Sequence, residues 1–271
     1  MQYRPDLTSA FLAAVRSTPP SHHPPSDVWL LLCAASAPHH RTKVLTLLRS
    51  KSVSGAFTEE LLRDALVGQG RSIRHLFEAS ALEMADGLVR SPESSARILG
   101  GELYCILYRE FPDPARRQEV VGGLVTHAGA GGGGGGGGLG GGGEGESGGN
   151  TEVDAAMTVL CRIAGGGPSG EVGLRPFLPF LSSLLDHIRS LALGQARRLF
   201  LVLFSVGCDD EEDDNNNDDV PPPVGGSAGM GGGCDDVHIV IRKYLSLPQP
   251  GLKCIVSYSH SSLWGILTLR S

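Results

Sequence analysis

Residues 113–127 read DPARRQEVVGGLVTH and set a pattern that recurs along the chain. Asp113 is a favourable N-cap, because its carboxylate can accept hydrogen bonds from the free amides of a first helical turn. Pro114 occupies the first helical position, where a missing amide costs nothing. The apolar residues fall on one helical face: Val120, Val121, Leu124 and Val125. The charged residues are predicted to lie off that face: Arg116, Arg117 and Glu119. Such a short amphipathic helix must pack on others to bury its apolar side.

Apolar residues return at helical spacing in many other segments, and no stretch alternates as a strand would. The predicted helices occupy residues 7–15, 28–35, 41–51, 58–66, 72–89, 91–107, 152–164, 175–188, 190–206 and 235–246. A series of amphipathic helices joined by short connections favours an all-α fold, an α-solenoid of HEAT-like helical repeats. No strict sequence period is visible, so a compact helical bundle stays an alternative.

Several boundaries of these helices can be assigned from single residues. Thr58 is predicted to cap the helix that follows it. Gly55 is predicted to end the preceding helix in a left-handed conformation. Pro38 is predicted to end the apolar helix at 28–35, and Ser91 to cap the helix at 91–107.

Two low-complexity inserts divide the predicted helices. Residues 129–149 are almost pure glycine and are expected to form a disordered linker, because they cannot bury apolar surface. Residues 208–234 form a second linker, acidic and then rich in proline and glycine. The predicted domains are therefore helical repeats at 1–128 and 150–207, a terminal helix at 235–253 and an uncertain tail at 254–271.

Gly100 and Gly101 are expected to weaken their own helix by about 1 kcal/mol each.

Composition narrows the class of protein. The net charge of −6 includes eight acidic residues between positions 209 and 219, so the remaining chain carries about +2, too little to indicate nucleic-acid binding. The six cysteines are scattered singly, and neither a secretory signal nor an apolar run of roughly 18 residues is visible. We expect an intracellular, reduced and soluble protein.

The candidate chemical motifs lack the structural context that they require. The glycine run contains G-x-G-x-x-G, but a helix precedes it where a nucleotide site needs a strand. The stretch GGSAG around Ser227 matches G-x-S-x-G without a strand-to-helix turn. The histidine pairs at 22–23 and 39–40 lack metal-ligand spacing and are expected to be solvated loop residues. His127 is expected to form hydrogen bonds at a packed surface. No cofactor and no enzymatic activity are predicted.

Basic residues on two helices could instead form a surface for a partner or a nucleic acid. The candidates are Arg197, Arg198, Arg242 and Lys243. Solvated helix faces are the simpler interpretation of the same pattern. A further basic outer face is predicted for residues 41–51, formed by Arg41, Lys43, Arg49 and Lys51.

Five short collinear segments resemble the Fanconi anaemia group D2 family. They read QEVVGGLVTH at 118–127, EVDAAMTVL at 152–160, LLDHI at 184–188, QARRLFLVL at 195–203 and DDVHIVIRKYLS at 235–246. The segment RSKSVSG at 49–55 fits the same order. The resemblance covers residues 7–253, and both low-complexity inserts fall between matched helices. The chain therefore looks like a central fragment of a longer family member.

The resemblance implies a nuclear DNA-repair scaffold. A family member pairs with a Fanconi anaemia group I-like protein and closes around DNA as a clamp. A ubiquitin-pathway ligase then modifies it during interstrand crosslink repair, and the family also acts in stalled-fork protection and meiotic recombination. Ala13 stands at the family's ubiquitin-acceptor lysine position, so the acceptor site is predicted to be absent. An unrelated HEAT-type protein-interaction adaptor is the alternative.

Overall fold

The computed structural model describes residues 5–66, 74–129, 151–165 and 173–207. Within these ranges the chain is all-α and has no strand. The predicted glycine linker beyond residue 129, the linker at 208–234, the terminal helix at 235–253 and the tail at 254–271 lie outside the described residues. The α-helices are α1 (Pro5–Ser17), α2 (Pro25–Ala35), α3 (Pro38–Val53), α4 (Glu59–Leu66), α5 (Arg74–Val89), α6 (Ser94–Glu110), α7 (Pro114–Gly129), α8 (Thr151–Ala164), α9 (Leu178–Ser183) and α10 (Leu193–Gly207).

Three of the predicted helix boundaries are confirmed. The backbone amide of Ala115 donates to Asp113 Oδ1 over 2.8 Å, so Asp113 caps α7. Thr58 caps α4, since its Oγ1 accepts from the amide of Leu61 over 3.2 Å. Gly55 ends α3 with a φ of 71°, a left-handed conformation that strains residues with a Cβ atom.

Three other boundaries differ from the prediction, one of them because proline can begin a helix as well as end one. Pro38 is the first residue of α3, and α2 already stops at Ala35. The helix expected from Ser91 begins at Ser94 instead, and the Ser91 hydroxyl donates to the Glu93 carboxylate. The single helix expected at 175–188 is a 3₁₀ turn (Arg175–Phe177), then α9, then a 3₁₀ helix (Leu184–Ser190).

The chain divides into two compact units, Met1–Ile163 and Ala164–Ser271. Within the first unit, α6 is the central helix and packs against α3, α4, α5 and α7. Its residues from Leu99 to Tyr108 are all buried. Extensively contacting helices lie at most three positions apart in chain order. Such local contacts are typical of helices stacked in series.

The two glycines of α6 have a packing role. A Cβ atom on Gly100 would lie 2.8 Å from Leu88 Cβ and 2.9 Å from the Val89 backbone nitrogen. A Cβ atom on Gly101 would lie 2.9 Å from Val159 Cγ2 of α8. Glycine therefore lets α5 and α8 approach α6 closely, at the expense of the helix propensity noted above.

Several polar residues expected at the surface are buried. Lys51 is only 7% exposed, and its Nζ donates to Thr18 O over 2.7 Å and to Arg16 O over 3.3 Å, at the C-terminal end of α1. Arg117 is 2% exposed, because its Nε donates to Tyr108 O and its guanidinium stacks on the Tyr108 ring. The expectations that Lys51 lies on an outer face and that Arg117 lies off the packed face were wrong. Long side chains can be buried when their charged ends reach backbone carbonyls.

One histidine of each pair is buried, which differs from the expected solvated positions, whereas His22 and His39 are exposed as expected. His23 is buried, and its Nδ1 lies 2.8 Å from Asp27 Oδ2. His40 is buried in the first turn of α3. The prediction failed because Pro38 places 39–40 inside a helix, where one of two neighbouring residues faces inward.

Within the second unit, the described residues 173–207 form α9, α10 and the two 3₁₀ segments around a small core. Its buried residues are Leu174, Phe177, Leu181, Leu184, Leu185, Ile188, Ala196, Leu199, Phe200, Val202, Leu203, Phe204 and Val206. At the start of α10, Gln195 Oε1 accepts from the backbone amide of Ala192 over 2.9 Å. The apolar face predicted for 190–206 is thus the buried face of α10.

Candidate functional site

The interior of the first unit contains a carboxylate between two arginines. Glu102 projects from α6 and its side chain is fully buried. Arg63 of α4 donates to Glu102 Oε1 through Nη2 over 2.9 Å and through Nε over 3.2 Å. Arg162 of α8 donates to the other oxygen, Oε2. We call these three residues, Arg63, Glu102 and Arg162, the Glu102 triad. Its ion pairs connect α4, α6 and α8.

The charge state of the triad follows from its contacts. Burial by itself raises the pKa of Glu102, but hydrogen bonds from Arg162 and Arg63 outweigh burial and lower it. The carboxylate is therefore ionised at neutral pH. The guanidinium groups keep a route to water, since the side chains of Arg63 and Arg162 are 44% and 35% exposed.

A second polar cluster surrounds His127 of α7, whose side chain is 1% exposed. Its Nε2 lies 3.0 Å from Asp86 Oδ1 on α5, and its Nδ1 lies 2.6 Å from Glu152 Oε1 on α8. The hydroxyl of Tyr104 on α6 donates to Asp86 and lies 3.2 Å from His127 Nε2. Arg90 Nε is 3.8 Å from Glu152 Oε1. We call these five residues the His127 cluster, and they join four helices.

The pKa shifts in this cluster favour an ion pair. Burial lowers the pKa of His127, but its hydrogen bonds to Asp86 and Glu152 more than reverse that effect and raise it. Burial raises the pKa of Asp86, and the bonds from His127 and Tyr104 lower it overall. The pKa of Tyr104 is raised by burial and by its bond to Asp86, so its hydroxyl stays a donor. The prediction that His127 makes hydrogen bonds at a packed surface is confirmed.

Neither Glu102 nor His127 is predicted from the sequence as a functional site, although the sequence contains a signal for each residue. Glu102 is the only charged residue in the run ILGGELYCILY, and it shares the helical face of Leu99 and Ile106. His127 follows Val120 and Leu124 at helical spacing. A polar residue on an apolar face must find partners when it is buried. Sequence spacing cannot identify those partners, because they come from distant segments.

The predicted acceptor position lies at the surface. Ala13 is exposed on α1. Two lysines occur among the described residues, Lys43 and Lys51. Lys43 is exposed on α3, whereas Lys51 is buried with its amine bonded to backbone carbonyls.

The predicted basic surface is only partly described. Arg197 is exposed and Arg198 is half-buried, and both lie on α10. Arg242 and Lys243 lie outside the described residues, so the structure brings together only half of the predicted set.

Reactive or metal-binding groups are scarce in the described ranges. There, no cluster of three or more His, Cys, Asp or Glu residues is placed to hold a metal ion. Within the described ranges, Cys33, Cys105 and Cys161 form no disulfide bond. Burial raises the pKa of the Cys105 thiol to about 11, opposite to what activates a cysteine nucleophile. No helix within the described part of the chain is long and apolar enough to cross a membrane.

The described ranges thus define an all-helical protein. Its most distinctive interior groups are charged side chains that connect neighbouring helices through ion pairs and hydrogen bonds. A family model described as "Fanconi anaemia protein FancD2 nuclease" matches residues 1–268. The chain belongs to this FancD2 family.

Individual relatives agree with the family match. The chain is 26% identical to the Fanconi anemia group D2 protein of Gallus gallus over 272 residues, which cover all of this chain and 16% of that protein. It is 27% identical to the group D2 homologues of Rattus norvegicus and Mus musculus over 248 residues, or 91% of this chain. These residues cover 14% of the rat protein and 15% of the mouse protein. The chain thus spans about one-sixth of the length of these relatives.

Proposed function

We propose that the chain is part of a nuclear DNA-repair scaffold of the Fanconi anaemia D2 type. The match of the family model to residues 1–268 carries this proposal. In it, the chain acts in interstrand crosslink repair, in protection of stalled forks and in meiotic recombination. The family match favours this proposal over the alternative of an unrelated HEAT-type adaptor.

The architecture in this proposal is an α-solenoid of HEAT-like repeats whose inserts at 129–149 and 208–234 lie between helices. Contacts among helices close in chain order support it. The scaffold has no catalytic role here.

The proposed partners are a Fanconi anaemia group I-like protein, DNA and a ubiquitin-pathway ligase. The pair would close on DNA as a clamp. Arg197, Arg198, Arg242 and Lys243 are the proposed contact residues, and the exposure of Arg197 supports this role. Any DNA contact through these residues should weaken steeply as salt rises, because phosphate binding acts through counterion release.

Survival after DNA damage tests the proposal. Cells in which the gene for this chain is disrupted should become hypersensitive to a DNA interstrand crosslinker, and the intact gene should restore resistance. The control is a monofunctional alkylating agent, which leaves no crosslinks and should affect both cell types similarly. Normal survival of the disrupted cells after crosslinking would refute a role in crosslink repair.

A further inference from the structure

Helix α8 contacts the preceding helices through charged side chains at both of its ends, in addition to a buried apolar face formed by Val153, Ala156, Met157, Val159 and Leu160. Near its start, Glu152 contacts His127 of α7 and Arg90, which directly follows α5. Near its end, Arg162 binds Glu102 of α6. These contacts form across residues 130–150, which separate α7 from α8 in the sequence. The attachment of α8 therefore depends in part on the charge of the groups that it meets.

The His127 contact requires one particular protonation state. A neutral imidazole has a single N–H and presents a lone pair at its other nitrogen. Here each ring nitrogen faces a carboxylate oxygen, Asp86 Oδ1 at 3.0 Å and Glu152 Oε1 at 2.6 Å. Only the imidazolium can donate to both. In the neutral ring, one nitrogen lone pair would face a carboxylate, and the ring itself is only 1% exposed.

The other charged and titratable groups around the ring do not replace this proton. Asp86 faces it from α5, Tyr104 from α6 and Glu152 from α8, and Arg90 lies directly after α5. With a neutral ring, Arg90 would be the remaining cation near two carboxylates. Its side chain is 56% exposed and lies 3.8 Å from Glu152, so solvent screens its attraction.

We propose that His127 is a protonation-dependent latch, which holds α8 against α5, α6 and α7 while its imidazole is charged and loosens α8 when the imidazole loses its proton. The pKa of His127 is raised when α8 is docked, above the ordinary value of about 6.5. The contribution of the latch is therefore complete below about pH 6.5 and is lost as the pH rises through the raised pKa of the docked state. Rising pH should undock α8 before it affects helices that do not contact the His127 cluster.

Amide hydrogen exchange of the full chain tests the latch. Exchange rates of α8 are divided by the intrinsic rate at each pH and compared with those of α2, which packs on α3, α4 and α5. Between pH 5.5 and 9.5, the protection of α8 relative to α2 should fall at least about threefold, which corresponds to a rise of half a pKa unit. His127→Gln should show low protection of α8 at pH 6.5 and no such fall. The matched control is His22→Gln at an exposed histidine, which should behave like the unmodified chain.

A second variant keeps the test decisive if His127→Gln fails to fold. Glu152→Gln changes a partly exposed carboxylate of α8, 26% exposed, and should also reduce both the protection of α8 at pH 6.5 and its dependence on pH. A relative protection of α8 that falls less than threefold in the unmodified chain would overturn the proposal. So would an equal fall in His127→Gln or in Glu152→Gln.

Discussion

Replacing Glu102 by glutamine should destabilise the first unit more than its small chemical change suggests. The amide keeps the shape of the side chain but removes the charge that faces two guanidinium groups in a fully buried position. Breaking a buried ion pair costs about 3–5 kcal/mol when one partner is removed. Because Arg63 and Arg162 can still reach water, we expect the lower end of this range for Glu102→Gln, about 3 kcal/mol.

Urea unfolding followed by circular dichroism measures this loss. With a slope of about 2 kcal/mol per molar urea, the midpoint should fall by about 1.5 M. The matched control is Glu119→Gln, which removes a carboxylate that is 51% exposed and pairs with Arg116 on the surface of α7. Its free energy of unfolding should change by less than about 0.5 kcal/mol. Equal midpoint shifts for both variants would refute the reasoning about burial.

The pH dependence of the same contribution has a definite sign. The pKa of Glu102 is lowered in the folded chain, so the stabilisation is present above the ordinary value of about 4.3 and is lost as the pH falls through the folded pKa. Glu102→Gln should therefore lose less stability than the unmodified chain when both are acidified below about pH 4.

Three further predictions use the packing and the surface. Gly100→Ala should lower the free energy of unfolding by about 1–3 kcal/mol through overpacking, whereas Gly122→Ala, with open space around the new methyl group, should raise it by up to about 1 kcal/mol. A thermal melt in which Gly100→Ala is the more stable variant would contradict the packing role. Lys51→Met should lower the free energy of unfolding by about 1–3 kcal/mol, because it leaves two backbone carbonyls without a donor. Lys43→Met should lower it by less than about 0.5 kcal/mol, and the midpoints of urea unfolding measure the difference. Incubation with the group I-like partner and the ligase should give no single dominant ubiquitin conjugate on the chain, because Ala13 at the acceptor position has no amine. Peptide mapping that finds one dominant conjugate on Lys43 or Lys51 would refute this.

The helices themselves could be predicted well because their signals are local. Asp113 and Thr58 cap their helices through amides two or three residues away, and Gly55 supplies the left-handed residue that ends α3. Each of these features needs only a few neighbouring residues. Pro38 shows the limit of such local signals, because the same residue suits the end of one helix and the start of the next.

The charged interior could not be predicted, because its contacts join distant segments. Glu102 meets Arg63 and Arg162 across 39 and 60 residues of sequence. Lys51 was placed on an outer face because lysine is seldom buried, yet its amine reaches carbonyls 33 and 35 residues earlier. Helical spacing identifies which face a residue occupies, but only the packing of several helices determines whether that face meets water or an opposite charge.

The partner that co-purifies with the chain tests its assignment to the repair scaffold most directly. The endogenous gene is tagged, the protein is purified from nuclear extract with and without a DNA interstrand crosslinker, and bound proteins are quantified by mass spectrometry. The account predicts a Fanconi anaemia group I-like protein in near-stoichiometric amount, together with DNA-dependent retention after crosslinking. Absence of any group I-like protein from both samples, with the tagged protein recovered intact, would contradict it.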